Sequence, residues 1–236
     1  MQKRTKIITA SIVAGVLLLG AGAAIAGPIF YRDVIVGEAD AAPSITAAPT
    51  PTETASGSAI DPADLSGDWV VADGSFAGYR VDEVLNGTDV TVTGRTDDVT
   101  GSLTVDGLEL TEAEFTVDVA SIATDSSSRD SYFRDNALRV SEFPTATFVL
   151  TSTVTATAPP VVGEVQGITA TGDLTIAGVT RPVTVELEAV LNAADGQVAG
   201  SIPITFADFG VEAPNLGFVS VEPQGFIEFS LVIQPA

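Results

Sequence analysis

The chain has 236 residues, with 10 Lys+Arg against 31 Asp+Glu and neither His nor Cys. Those zeros exclude disulfides, thiolate nucleophiles, Cys-ligated zinc and iron–sulfur centres, and every triad or haem site that needs an imidazole. The net charge of −21 argues against a nucleic-acid partner, since a phosphate backbone needs a basic surface, and the 45% hydrophobic content argues against disorder of the whole chain.

Lys3, Arg4 and Lys6 precede an uncharged run from Ile7 to Tyr31. As a helix that run spans roughly 37 Å, enough for a hydrocarbon core of about 30 Å. Residues 1–6 are expected to be cytoplasmic, and 7–31 to be a transmembrane helix anchoring the chain in the cytoplasmic membrane. A cleavable signal peptide competes, because Ala24-Ile25-Ala26 fits the small-x-small pattern. The length of the run favours the anchor. Either outcome places the remainder outside the cytoplasm, membrane-tethered or secreted. Residues 32–66, rich in Ala, Pro and Thr, read as a disordered linker that cannot offset its ordering entropy by burial.

From Gly67 to Ala236 the texture is β. Runs centre on Tyr79–Leu85, Val90–Gly94, Val99–Val105, Phe115–Ile122, Thr147–Ser152, Ile168–Ile176, Val183–Leu191, Val198–Thr205 and Ile227–Ile233. Several alternate strictly: Val183, Val185, Leu187, Ala189 and Leu191 share one face, and Thr184, Glu186 and Glu188 the other. Turn pairs Asn86-Gly87, Asp106-Gly107, Ala177-Gly178 and Asp195-Gly196 separate them. One apolar and one polar face per strand predicts a single all-β antiparallel barrel or sandwich. The one helix candidate is Ser128–Leu138. Thr100–Leu108 echoes Thr171–Val179, which we attribute to shared hairpin chemistry.

This domain holds Arg80, Arg95, Arg129, Arg134, Arg139 and Arg181, no Lys, and 25 Asp or Glu, giving 6 − 25 = −19. That balance reads as a solubility feature or an adaptation to high salt. No calcium-loop pattern occurs.

Two segments go beyond generic β texture. Asp125–Leu138 (DSSSRDSYFRDNAL) leads into Phe143-Pro-Thr-Ala-Thr-Phe148. Gly172–Val185 (GDLTIAGVTRPVTV) is followed by Phe206-Ala-Asp-Phe-Gly-Val211. With Phe76–Val81 and Val92–Gly101, their order and spacing resemble the YceI-like family of polyisoprenoid-binding proteins. The anchor and Ala/Pro-rich spacer are similar to actinobacterial members. The resemblance implies an elongated eight-stranded antiparallel lipocalin-like barrel with a short helical insertion. It also implies an apolar tunnel for an isoprenoid lipid or a menaquinone-like quinone, with no other cofactor. The chain departs from the family pattern in the paired Phe usual before the Phe-Pro segment, which is not matched, and at two further positions. Where many members have His, this chain has Tyr132 and Ala177, so any head-group contact made by His is absent or passes to Tyr132.

Alternation nominates inward side chains for that tunnel: Tyr79, Val81, Phe115, Val117, Val119, Phe148, Leu150, Leu187, Ala189, Ile202, Ile204, Ile227, Phe229 and Leu231. Phe133 and Leu138, on the helical segment, are expected to cap it. Arg129, Tyr132 and Arg181 are the head-group candidates. Alternation alone does not separate a hollow barrel from a filled one, so a surface domain with a packed core remains the rival reading. Trp69 is expected to plug a barrel end. An enzyme would have to work with carboxylates alone, and Glu83, Glu114 and Asp118 are not paired by any motif; no catalytic role is expected.

Overall fold

The computed structural model describes residues 39–45, 59–192 and 194–236. The expected cytoplasmic segment 1–6 and membrane span 7–31 lie outside them. Among the described residues no helix is long and apolar enough to cross a membrane.

Ten strands follow a one-turn helix α1, Pro62–Leu65: β1 Gly67–Leu85, β2 Thr88–Thr96, β3 Val99–Asp106, β4 Glu109–Asp118, β5 Thr145–Leu150, β6 Val154–Thr155, β7 Gln166–Ile176, β8 Val179–Leu191, β9 Gly196–Thr205 and β10 Val219–Pro235. All named pairs are antiparallel, and the order β10-β9-β8-β7-β5-β4-β3-β1 closes through a β1–β10 ladder. The wall therefore has eight positions. β2 continues the line of β3 along the same edge of β1, with β3 paired to residues 67–70 and β2 to residues 77–85. β6 is a short patch on β4.

The hairpins form as their turn residues require. Asn86 and Gly87 both have positive φ (51° and 78°), the backbone of a two-residue turn matched to strand twist. Asp195-Gly196 differs from expectation: Leu191 pairs with Gly196, so the connection is a four-residue loop and Gly196 already belongs to β9. β1 and β10 are far longer than their alternation suggested. A bulge between Ala72 and Phe76 breaks the period of β1, and the Ser75 hydroxyl, in contact with the Ala72 and Val232 carbonyls, stitches it to β10.

The expected helix spans Ser127–Tyr132 as α2 and then widens into a π turn over Phe133–Ala137. The Ser126 hydroxyl caps it by accepting from the Arg129 N–H. Asp130, nearly buried, accepts from both the Thr124 N–H and its hydroxyl, pinning the helix start.

One stretch of the wall is not hydrogen-bonded. β8 and β9 pair only over Glu186–Leu191 with Gly196–Ser201. Pro182 and Pro203 stand in the unpaired halves, and proline has no N–H to give a ladder. Pro182 sits three residues inside β8, tolerated by this seam. Phe209, 3% exposed on a 3-10 turn at Phe206–Phe209, packs into the same core as Val185 and Ile202 beside the seam.

The linker expectation for 32–66 needs two corrections. Residues 59–66 belong to the packed unit: Ala59 bridges to Val161, and Leu65 on α1 is buried against Trp69, Leu103, Ala113 and Ile233. Residues 39–45 lie as a strap on the outside of the barrel. Arg80 donates to the Asp40 carbonyl and Arg95 to the Ala41 carbonyl, while the Ile45 N–H donates to Glu188. Composition missed the strap because it is held through its own backbone and the Asp40 carboxylate and not by apolar burial.

Candidate functional site

The two ends of the barrel differ. At one end Trp69 donates its indole N–H to the Leu65 carbonyl (3.0 Å) and packs with Leu103, Ala113 and Ile233, forming the plug that the lone tryptophan was expected to provide. Above the plug the interior opens into a cavity of about 700 Å³, within the range of small-molecule sites. Its lining follows β10 from Val219 to Leu231. Those twelve strand steps measure about 40 Å, or roughly 30 Å along the axis after strand tilt.

The wall's inner aromatics explain why the bore is not filled. Each rests on a glycine of the neighbouring strand. Tyr79 lies opposite Gly94, Phe115 opposite Gly101 and Phe229 opposite Gly200, and Phe148 covers Gly172. A Cβ on Gly200 would come 2.7 Å from the Phe229 ring. The rings thus occupy the space that side chains at those positions would take, lying along the wall instead of reaching the axis. Inward Tyr79, Val81, Phe115, Leu150, Leu187 and Ala189 are accordingly only half-buried, although they face the interior.

All sixteen nominated tunnel residues line this cavity: Tyr79, Val81, Phe115, Val117, Val119, Phe133, Leu138, Phe148, Leu150, Leu187, Ala189, Ile202, Ile204, Ile227, Phe229 and Leu231. So do Arg129 and Tyr132. Arg181 does not. It is exposed on the outer groove beside the seam and donates to the neighbouring Thr180 carbonyl. Its inward parity fails to bring it in because β8 has splayed from β9 at that height. Glu114 and Asp118 are exposed and outside the lining, whereas Glu83 is inside it.

Nearly all the polar lining gathers at the open end. Arg129 is the one cation in it among the described residues. Its guanidinium reaches Glu83 at 3.1 Å and Asp125 at 2.5 Å. Burial works against the Arg129 charge, but Glu83 and then Asp125 more than offset it, and its pKa is raised. Tyr79 stacks on Phe133 with ring centroids 4.8 Å apart. Burial pushes the Tyr79 phenol well above its ordinary value, so it stays a neutral donor. Sequence reasoning missed Glu83 as a mouth residue because a carboxylate at an inward strand position reads as a break in the pattern. Its alternation with Tyr79 and Val81 was the available signal.

The open rim is built from the β1–β2 turn and the loop before β10, joined by the Asn86 N–H donating to the Phe218 carbonyl at 2.7 Å. Leu216 and Phe218, 50% and 59% exposed, stand on that loop and also line the bore.

On the outer face, a second buried pair sits under the strap. Glu228 is 2% exposed and takes Arg80 on both oxygens, at 2.5 and 3.3 Å. Arg95 adds a longer contact to Glu228 (3.9 Å), an ion pair with Asp40 (3.2 Å) and a face-on contact with Phe76 (4.5 Å).

Comparison with known proteins adds the following. A family model, YceI-like domain, matches residues 69–233. A UPF0312 protein of Shewanella denitrificans is 30% identical over 153 residues, covering 61% of this chain and 73% of that protein. A polyisoprenoid binding domain from Saccharophagus degradans, implicated in plant cell wall breakdown, superposes with a TM-score of 0.58 at 22% identity, over 72% of this chain and 99% of that one. BcnA of Burkholderia cenocepacia superposes with a TM-score of 0.53 at 23% identity, over 73% and 98% respectively. At these identities the two structures speak to the shared fold.

Proposed function

The chain belongs to the YceI-like family, and from that premise we propose that it is an extracytoplasmic binding or carrier protein for an isoprenoid lipid. The isoprenoid chain lies in the bore and its head group at Arg129, Tyr132 and Tyr79. The observation that carries this reading is a cavity of about 700 Å³, apolar along its length and polar at its open end. An isoprenoid needs no reactive residue to be held: each methylene removed from water contributes about 0.8 kcal/mol. The role is binding, without a chemical step.

The mouth favours a neutral head. The Arg129 charge is already matched by Glu83 and Asp125, and the domain carries −19 in all, so a phosphate or pyrophosphate would meet a site with no free positive charge. A quinone carbonyl or a hydroxyl accepts hydrogen bonds from a guanidinium and a neutral phenol without that penalty. We therefore favour a menaquinone-like quinone over a polyprenyl phosphate.

The test is the full chain purified from its native membranes. Mass spectrometry of its organic extract is expected to give a near-stoichiometric isoprenoid, and stripped protein is expected to take up added menaquinone. An extract without isoprenoid, together with no uptake, overturns the reading and leaves a surface domain without a ligand.

A further inference from the structure

We propose that the rim formed by Leu216, Phe218 and the Asn86-Gly87 turn is a membrane-docking surface, which holds the bore open-end-down on the bilayer to which the chain is tethered. The proposal rests on the lipid-binding reading for its purpose and on the membrane anchor expected at residues 7–31 for its tether; the docking surface itself is read from separate observations.

The first is charge. In a domain of −19, the nine residues from Ala213 to Val221 carry none, and neither do Val84–Thr88, which adjoin them through the Asn86–Phe218 hydrogen bond. The second is apolar exposure, which among the large hydrophobic side chains of the described residues is greatest at that site. Leu216 and Phe218 are more than half or half exposed and continuous with the bore, so a lipid tail leaving a bilayer there stays in contact with apolar surface. With no Lys in the domain, docking depends on apolar insertion and not on attraction to anionic lipid.

The third is tether length. The strap begins at residue 39 and Asp40 is bound at Arg80 and Arg95. Between the uncharged run ending at Tyr31 and the strap lie only residues 32–38, which reach at most about 25 Å. From Arg80, five steps along β1 lead to Leu85 at the rim and thirteen lead to Gly67 at the plug. These are about 17 Å and 44 Å of strand, or roughly 13 Å and 34 Å along the axis. The rim lies within the tether's reach of a membrane and the plug lies beyond it. A freely dangling linker of 32–66 would have imposed no such orientation.

The experiment uses the full chain reconstituted in phosphatidylcholine vesicles and preloaded with menaquinone, so that the bore is occupied. Trp69, the chain's single tryptophan, reports the plug end; a Phe218→Trp variant reports the rim. With lipids brominated in the acyl chain, the variant is expected to show strong added quenching and the parent almost none. In a second arm, Leu216→Asp/Phe218→Asp is expected to slow menaquinone uptake from vesicles at least about tenfold, the scale set by losing the burial of two large apolar side chains. In detergent solution the same variant is expected to lose far less. Equal quenching of parent and variant, equal slowing in vesicles and detergent, or failure of the full chain to float with vesicles each overturns the docking. If the parent takes up no menaquinone from either source while Phe218→Trp is still quenched, the docking stands and the lipid-binding reading falls.

Discussion

Glu83 and Glu228 are both buried glutamates paired to arginine, on opposite faces of one wall. Glu228 points outward beneath the strap, where Arg80 donates to it and to the Asp40 carbonyl and Arg95 donates to the Ala41 carbonyl. Glu83 points inward at the mouth, where its partner Arg129 also lines the bore. The same chemistry thus closes one site and leaves the other able to meet a ligand. What separates them is which surface lies above the pair: seven residues of this chain in one case, the bore in the other.

The largest expected effect comes from the closed pair. Glu228→Ala strands Arg80 and Arg95 beneath the strap, and urea denaturation is expected to show a loss of about 3 kcal/mol. Limited proteolysis between residues 39 and 45 is expected to accelerate in the same variant. An unchanged midpoint and an uncut strap would break the contrast. Next comes the open pair. Glu83→Gln is expected to cost less, about 1–2 kcal/mol, and to leave the Arg129 charge matched by Asp125 alone. Competition binding is then expected to shift from menaquinone toward polyprenyl phosphate; no shift in preference would mean that Arg129 does not face the head group.

A smaller effect is expected from Gly200→Ala. Its new Cβ meets the far end of the Phe229 ring, which can swing away cheaply only into the bore. Stability is expected to fall by about 1 kcal/mol or less, with reduced uptake of long isoprenoids but not of short ones in a chain-length series. The smallest is the response of Tyr79 to alkali. Its folded pKa lies above the unfolded value of about 10, so the unfolded chain loses that proton first. Its contribution to stability is complete below about pH 10 and declines as pH rises toward the folded pKa. Phenolate absorbance is expected to show one tyrosine lagging the others in the folded protein, and Tyr79→Phe is expected to remove the lag.

Much of the wall was legible because burial on one face imposes a period of two, and the runs around Val183–Leu191 and Ile227–Ile233 display it without interruption. The inward set could be named for the same reason. β1 was cut short in the reading because Asp73, Gly74 and Ser75 occupy a bulge, where the period slips by design of the backbone. β10 was cut short at Glu222, Pro223 and Gly225. Hollowness was not legible: it depends on which glycine lies across from which aromatic, and that is a matter of register between strands. Nor was the burial of Glu228, whose outward parity correctly placed it away from the bore but said nothing of a strap arriving from about 190 residues earlier in the chain.

The seam between β8 and β9 has a mechanical consequence. A ring of hydrogen bonds resists widening as a hoop resists bursting. Here the hoop is intact near the plug and severed toward the rim, where packing of Phe209 takes the place of a ladder. The tube therefore has a stiff base and a compliant collar, and its mouth can widen without unzipping a hydrogen-bonded ladder.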